Sequence, residues 1–512
     1  MSDQSRVSAP LWQQVELTLD VAETFTSPYL ELEAAIDFTH SDDTVLRRPI
    51  FWDGDRGFKV RFAPTKVGEW SWAFGGQHGL ISASAIAASE TNRIKRHGFW
   101  KMSPKGRTLI HADGKPAIMA ADTAWALPWR ATVDQAREYA AKRKSQGFNS
   151  VLLMTVQPDM EAQGPRNRTQ DEGFDVGFFD LPTGHIDELN AEYFQYLDQL
   201  IEVLREHDLV PVLQPVFHGF GWKGLRVAGR HIPDGELARY ARYLVARYGA
   251  GPAIYLVGAD GLGTETNIAA AGAAVHESDC YEQPTGIHYQ PHARATAHQA
   301  AEWLDFQWCQ TGHGGDHAPQ RVAEMWLAEP AKAVANAEPT YENTGKLGLG
   351  SGWWQGTEAW VNYCAGGTMG VGYGAASLWQ WRLHKAEPGH SPLFVNPDAG
   401  WREALEGTGA PFVGLLPQIL EGFDTTDLEP SCEHVIAPHA LYGEGRIFIC
   451  YTENGGTLQI MDDKIGLHFR IVDPKTGEVL RRGVREPGEY LHEPIGEPRL
   501  YILTYDDTAS RY

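Results

Sequence analysis

Two carboxylates in this chain stand where strand-like runs give out. The first is Asp260, which closes the apolar run Ile254-Tyr255-Leu256-Val257-Gly258-Ala259. The second is Glu338, in Asn336-Ala337-Glu338-Pro339-Thr340-Tyr341-Glu342, directly after the mostly apolar residues 331–335. One carboxyl that donates a proton, beside another that attacks or activates water, is the equipment of glycoside hydrolysis. A carboxylate at the C-terminal end of each of two buried strands suits a (β/α)8 barrel, whose catalytic groups gather on that rim.

Asp260 is the candidate general acid/base. A partly buried rim position next to a second carboxylate would raise its pKa, as a proton donor needs. Gly258 and Gly261 on either side would let a ligand approach the backbone. The structural alternative is an aspartate that merely starts a loop or caps a helix. Glu338 is the candidate nucleophile, because Pro339 forces strand pairing to stop there. Glu342 is its rival in the same motif, or a residue that holds a substrate hydroxyl or orients Glu338. Tyr341 is placed to hydrogen-bond the nucleophile. The structural alternative is a surface loop with two solvated acids.

Other polar and aromatic residues fall at further strand ends: Asp122 and Trp125, Gln157, His218, His288, Gln307 and His313, and Trp379 with Trp381. A sugar site needs hydroxyl partners and an aromatic platform, so these are candidate substrate-binding residues. Singly, each is as well explained by packing; their shared location is the argument. Most of the 17 tryptophans are expected simply to fill cores.

Competing chemistries are poorly supplied. No HExxH occurs, and His313-Gly314-Gly315-Asp316-His317 puts its histidines in a glycine-rich stretch, so no metal is expected. Gly258-Ala259-Asp260-Gly261-Leu262-Gly263 is not a dinucleotide fingerprint, there is no GxSxG elbow, and no cofactor is called for. A net charge of −22 argues against nucleic acid and anionic membrane surfaces as partners. The five cysteines, Cys280, Cys309, Cys364, Cys432 and Cys450, include no CxxC pair and read as free thiols. The polar N-terminus lacks an apolar signal core, and no run of about 18 apolar residues occurs. A cytoplasmic enzyme is expected; homo-oligomer formation stays open.

The elements that must position these residues fall into three zones. At 512 residues the chain is too long for one core. Residues 9 to about 93 alternate with period two in short runs (14–21, 30–38, 48–53, 58–62, 70–74), the habit of a β-sandwich. A hairpin follows at 108–119 around Asp113-Gly114. Strands and helices then alternate for about 300 residues. Strands are expected through Asp122, at 150–156, 209–213, 253–257, 285–288, 305–307, 333–336 and 370–381. Helices are expected at 133–146, 191–207 and 235–248. Eight strands are what a closed barrel needs. After about residue 417 short strands return, at 442–452, 457–461, 466–472 and 500–504. The expected class is multidomain α/β: a central (β/α)8 TIM barrel at 96–416, flanked by an N-terminal β-sandwich at 1–95 and a C-terminal one at 417–512.

Asp122-Thr123-Ala124-Trp125, Val257-Gly258-Ala259-Asp260 and Asn336-Ala337-Glu338-Pro339-Thr340-Tyr341-Glu342 together resemble the apiosidase-like glycoside hydrolases, barrels similar to the large cellulase and β-galactosidase clan. Phe58-Lys59-Val60-Arg61-Phe62 and Gly68-Glu69-Trp70-Ser71-Trp72 resemble the sandwich often found before such barrels. The C-terminal strands resemble the collagen-binding-like domain often found after them. The resemblance spans almost the whole chain and implies Asp260 as acid/base and Glu338 as nucleophile. It departs where members often carry Gly-Gly-Asp and this chain has Gly258-Ala259-Asp260, in Tyr255 as the aromatic that opens that strand, and in Ala337 where a glycine usually precedes Glu-Pro. The expectation is an exo-acting, retaining hydrolase of a furanoside, such as an apioside or arabinofuranoside, on an oligosaccharide or small glycoside. The alternatives are an inverting glycosidase or transglycosylase on another sugar, or a carbohydrate-binding protein on a dead barrel. The distance between the carboxyls separates retention from inversion, and sequence does not contain it.

Overall fold

The computed structural model describes residues 5–55, 57–160, 176–219, 226–291, 293, 296–313, 318–343, 350–385, 399–431, 433–461 and 465–511. At its centre eight parallel strands close on themselves: β1 (Met119–Thr123), β2 (Ser150–Met154), β3 (Val210–Gln214), β4 (Ile254–Leu256), β5 (Thr285–His288), β6 (Phe306–Gln310), β7 (Ala333–Glu338) and β8 (Gly370–Tyr373). Closure is made by β8 on β1, with Met119 opposite Gly370 and Asp122 opposite Tyr373. Every residue of these strands is buried, because one face fills the barrel and the other meets the helices.

The helices of eight residues or more among the described residues are α1 (Val133–Ser145), α2 (Ala191–Glu206), α3 (Asp234–Tyr248), α4 (Thr266–Ser278), α5 (Pro319–Trp326), α6 (Trp353–Cys364) and α7 (Ala410–Ile419). Local chemistry sets their starts. Thr132 and Gln135 form a reciprocal capping box on α1, and the Asn190 side chain accepts from the Tyr193 N–H on α2, each meeting amides that have no partner within the helix. Among the described residues, no helix lies between β5 and β6.

Several expected boundaries move. The last barrel strand ends at Tyr373, and Ala376–Trp379 turns into a short helix. The run at 442–452 is a hairpin of His439–Gly443 and Ile447–Thr452, with Gly445 at φ 65° supplying the left-handed turn residue. The run at 30–38 begins as a helical turn, Pro28–Glu31, with proline in its first turn, where its missing N–H does no harm. The Asp113-Gly114 hairpin forms as expected, pairing Leu109–His111 with Pro116–Ala117.

Before the barrel, a five-stranded and a three-stranded sheet face each other over a core that includes Phe38, Phe62 and Trp70. After it come a six-stranded and a three-stranded sheet around Phe448, Ile471 and Leu503. Tyr451 of the larger sheet stacks on Trp360 of α6 at 6.2 Å. No helix among the described residues is long and apolar enough to cross a membrane.

The N-terminal sheets are bound to the barrel through buried arginines. Arg48 donates to the Val245 carbonyl of α3 at 2.8 Å. Arg61 donates to the Arg247 carbonyl at 2.7 Å and to Asp198 of α2 at 2.6 Å. Arg247 donates to the same carboxylate at 2.8 and 2.7 Å. Burial pushes the Asp198 carboxyl up, but Arg247 and then Arg61 outweigh it and hold it below its usual range. A carboxyl lowered by folding adds stability above its unfolded pKa and loses it as pH falls through the folded one. Asp198→Asn should therefore cost about 3–5 kcal/mol at pH 7, and the gap to the parent should narrow below about pH 4. Unchanged thermal midpoints across that range would show that the sandwich is held by other contacts.

Candidate active site

Glu338 is the last residue of β7 and is 3% exposed. Its Oε1 accepts from the Tyr341 hydroxyl at 3.0 Å and meets His313 Nε2 at 3.1 Å. Its Oε2 meets His288 Nε2. Tyr341 returns past Pro339 and packs against the His313 ring, tilted by 37°, at 4.0 Å. The phenol ring lies so close to Gly374 that a Cβ there would stand 2.4 Å from Cε1, so this approach requires glycine. Burial pushes the Glu338 carboxyl up, but His288 and then His313 outweigh it and hold it well below the usual carboxylate range. Burial, and then the Glu338 charge, push the Tyr341 phenol up. The pair is thus a carboxylate facing a neutral donor.

Asp260 follows β4 at φ 52°, a left-handed conformation that aspartate tolerates better than most residues. Single bridges pin both sides of it, Phe217 to Ala259 and Gly261 to Tyr289. It is 6% exposed, and Oδ1 accepts from Gln310 Nε2 at 3.3 Å. Ligand-type atoms of Asp260, His288 and Glu338 all lie within 4.8 Å of one another. The flanking glycines serve packing rather than ligand approach: a Cβ on Gly258 or Gly261 would meet Ile268 of α4 at 2.4 or 3.1 Å.

His288 ends β5 between the two acids, fully buried. Burial pulls its imidazole down, but Glu338 and then Asp260 raise it above the ordinary value. Trp125 packs edge-on against Trp379 at 5.6 Å, Phe217 at 5.3 Å and His288 at 6.2 Å. Trp379 is half-buried. His218, next to Phe217, shares Nε2 with Asn267 at 3.2 Å, and burial lowers its pKa. His218 Nδ1, Trp125 Nε1 and both amide atoms of Gln157 are buried without a hydrogen-bond partner among the described residues. Such atoms are costly unless something meets them.

Four expected residues are not brought to this cluster. Asp122 faces α1, where it accepts from Arg143 at 2.7 Å and Tyr139 at 2.6 Å. Gln307 donates to the Met325 carbonyl of α5 at 3.3 Å. Trp381 stacks on Trp401 at 4.5 Å and donates to Gln135 at 3.1 Å. Glu342 accepts from Tyr373, from Thr408 at 3.1 Å and from the Gly409 N–H at 3.0 Å, locking the approach to α7. Two residues were not foreseen: Gln214, at the end of β3, whose side-chain amide meets His288 Nδ1 at 2.6 Å, and Gln310. Period-two counting along β6 was the available signal, since Trp308 and Gln310 share a face that Gln307 does not.

His185, Asp187 and Glu236 form a second group with ligand spacing, but His185 and Glu236 already bond each other at 2.8 Å. His317 and Cys432 lie outside the described residues; Cys280, Cys309, Cys364 and Cys450 are free thiols. The main cluster can deliver a proton from one carboxyl and attack carbon with another.

The family pattern "Apiosidase-like, catalytic domain" matches residues 103–427, and a domain of unknown function (DUF5060) matches 8–75. No curated protein matches the chain. A glycoside hydrolase family 5 protein from Bacteroides vulgatus ATCC 8482 is 20% identical, with a TM-score of 0.66 over 80% of this chain and 94% of that one. Another protein of that organism, provisionally named a glycoside hydrolase, is 16% identical, with a TM-score of 0.70 over 98% and 100%. At such identities these likenesses show the fold.

Because the Glu342 carboxylate is taken up by backbone and hydroxyl donors, Glu342→Ala is expected to act on stability. Each buried donor left unmet costs about 1–3 kcal/mol. A melt indistinguishable from the parent would return Glu342 to the list of substrate contacts.

Proposed function

The chain belongs to the apiosidase-like glycoside hydrolases, and from that we propose that it hydrolyses a terminal furanoside with retention of configuration, using Asp260 and Glu338. The observation that carries this reading is the approach of the two carboxylates to within 4.8 Å across His288. An oxygen of each carboxyl thus lies no more than 4.8 Å from one of the other, which suits the roughly 5–5.5 Å separation of retaining enzymes better than the roughly 6.5–9.5 Å that leaves room for an inverting water. Glu338 is the nucleophile in this reading, kept ionised by two histidines and oriented by Tyr341. Asp260 protonates the leaving oxygen and then activates water.

Exo action is supported by depth. Both acids are almost fully buried, which suits a terminal sugar entering a recess rather than a chain lying along a groove. Trp125 and Trp379 form the aromatic wall, and Gln157 and His218 offer unmet polar atoms to sugar hydroxyls. A furanose accords with the family's name; apiose and arabinofuranose are the sugars to try first. Catalysis falls to residues 96–416, while 1–95 and 417–512 buttress the barrel through contacts such as Arg48 on α3 and Tyr451 on Trp360.

A panel of 4-nitrophenyl glycosides, furanosides beside pyranosides in both anomers, tests the reading. One furanoside should be turned over, and proton NMR of the first-formed sugar should show the starting anomer. Glu338→Gln and Asp260→Asn should each lose more than about a hundredfold in kcat. Near-normal turnover in either variant removes that residue from the mechanism, and an inverted first product removes the retaining step.

A further inference from the structure

His288 touches Glu338 Oε2 through Nε2, and the same nitrogen stands 3.7 Å from Asp260 Oδ1. Its Nδ1 faces the Gln214 side-chain amide at 2.6 Å. The Trp125 and Trp308 rings flank it, each at 6.2 Å. Among the described residues, the charged groups that bear on this imidazole are Glu338 and Asp260; His313 and Tyr341 reach the opposite oxygen of Glu338.

A side-chain amide can meet an imidazole nitrogen either way round. With its NH2 toward Nδ1, the ring is neutral and carries its hydrogen on Nε2. With its carbonyl oxygen toward Nδ1, both ring nitrogens carry hydrogens and the ring is a cation. The Gln214 carbonyl oxygen has no partner among the described residues, so turning the amide over breaks only the bond to His288, which it then remakes. Gln214 accommodates both charge states, and the Glu338 carboxylate in contact with Nε2 favours the cation.

We propose that His288 is a counter-charge used by the two carboxylates in turn, paired with Glu338 in the free enzyme and with Asp260 in the glycosyl-enzyme. This rests on the retaining reading above. In the first step Asp260 gives its proton to the leaving oxygen while a Glu338 oxygen bonds the anomeric carbon and the old C–O bond breaks. Glu338 is then a neutral ester and Asp260 an anion, so the imidazolium loses its first partner and has a second one 3.7 Å away. In the second step Asp260 takes a proton from water, whose oxygen bonds the anomeric carbon and releases Glu338 as a carboxylate. The three side chains carry no net charge before, between and after the steps. A buried site pays heavily for uncompensated charge, and this exchange never creates any.

The test needs no substrate. Histidine labelled with 13C at Cε1 gives a ring signal for His288, assigned by its loss in His288→Gln, whose pH midpoint is read by NMR. Glu338→Gln imitates the neutral ester. Its His288 midpoint should fall below the parent's yet stay at or above about 6.5, the ordinary imidazole value, because burial alone would drive it lower and only Asp260 remains to hold it up. In Glu338→Gln/Asp260→Asn it should fall by about one further unit or more. Equal midpoints in the single and double variants would overturn the proposal, as would a midpoint unmoved by Glu338→Gln. Should the double variant fail to fold, a single-variant midpoint clearly below about 6.5 overturns it alone. Turnover by Glu338→Gln or Asp260→Asn would instead strike the retaining reading, whatever the titration shows.

Discussion

The pairing of β8 with β1 is the constraint on which everything else in this molecule rests. Backbone hydrogen bonds leave no free edge once Gly370 lies opposite Met119, and closure makes all eight strand ends converge on one rim. Asp260, His288, Gln310 and Glu338 come from four different strands or the turns after them. Nothing local holds them together. Closure also demands that side chains fill the lumen, so groups at the rim are buried from below and reach only what enters from above. That burial is why two carboxylates here need partners: a histidine between them and a tyrosine and second histidine on the far oxygen.

Polar groups buried in this chain divide into two kinds. Asp198 with Arg61 and Arg247, Glu342 with Tyr373 and Gly409, and one oxygen of Asp122 with Arg143 are hydrogen-bonded within the protein. They fasten helices, sandwich and loops to the barrel wall. Gln157, His218 and Trp125 keep buried polar atoms unmet among the described residues. Unmet polar atoms beside a pair of carboxyl groups are what a hydroxyl-rich ligand would complete.

Much of this was legible without coordinates, and the exceptions share a cause. Asp260, Glu338 and Tyr341 showed because an apolar run stops at a carboxylate and proline ends the pairing. Gln307, Asp122 and Trp381 were legible as polar or aromatic residues near strand ends, but their direction was not. In a strand buried on both faces, apolar residues occupy both faces, so the period-two signal that distinguishes lumen from helix layer fades. A shift of one residue sends a side chain to the other face, which is the difference between Gln307 on Met325 and Gln310 on Asp260. Tyr373 as the end of β8 was hidden likewise, because Gly374-Ala375-Ala376-Ser377-Leu378-Trp379 is apolar enough to read as more strand.

By itself the sequence determined the class of chemistry, the alternation of strands and helices that makes a barrel, and the β-rich regions on either side, because these follow from composition and short-range periodicity. Tertiary structure alone decided that His288 stands between the acids, that Gln214 backs it, that the Glu342 carboxylate is taken up by Tyr373 and Gly409 and that the carboxylates approach within 4.8 Å. Those facts depend on distances between residues remote in the chain. Such distances are set by barrel closure and by which face of a buried strand each residue takes, and neither is written in any local stretch of sequence.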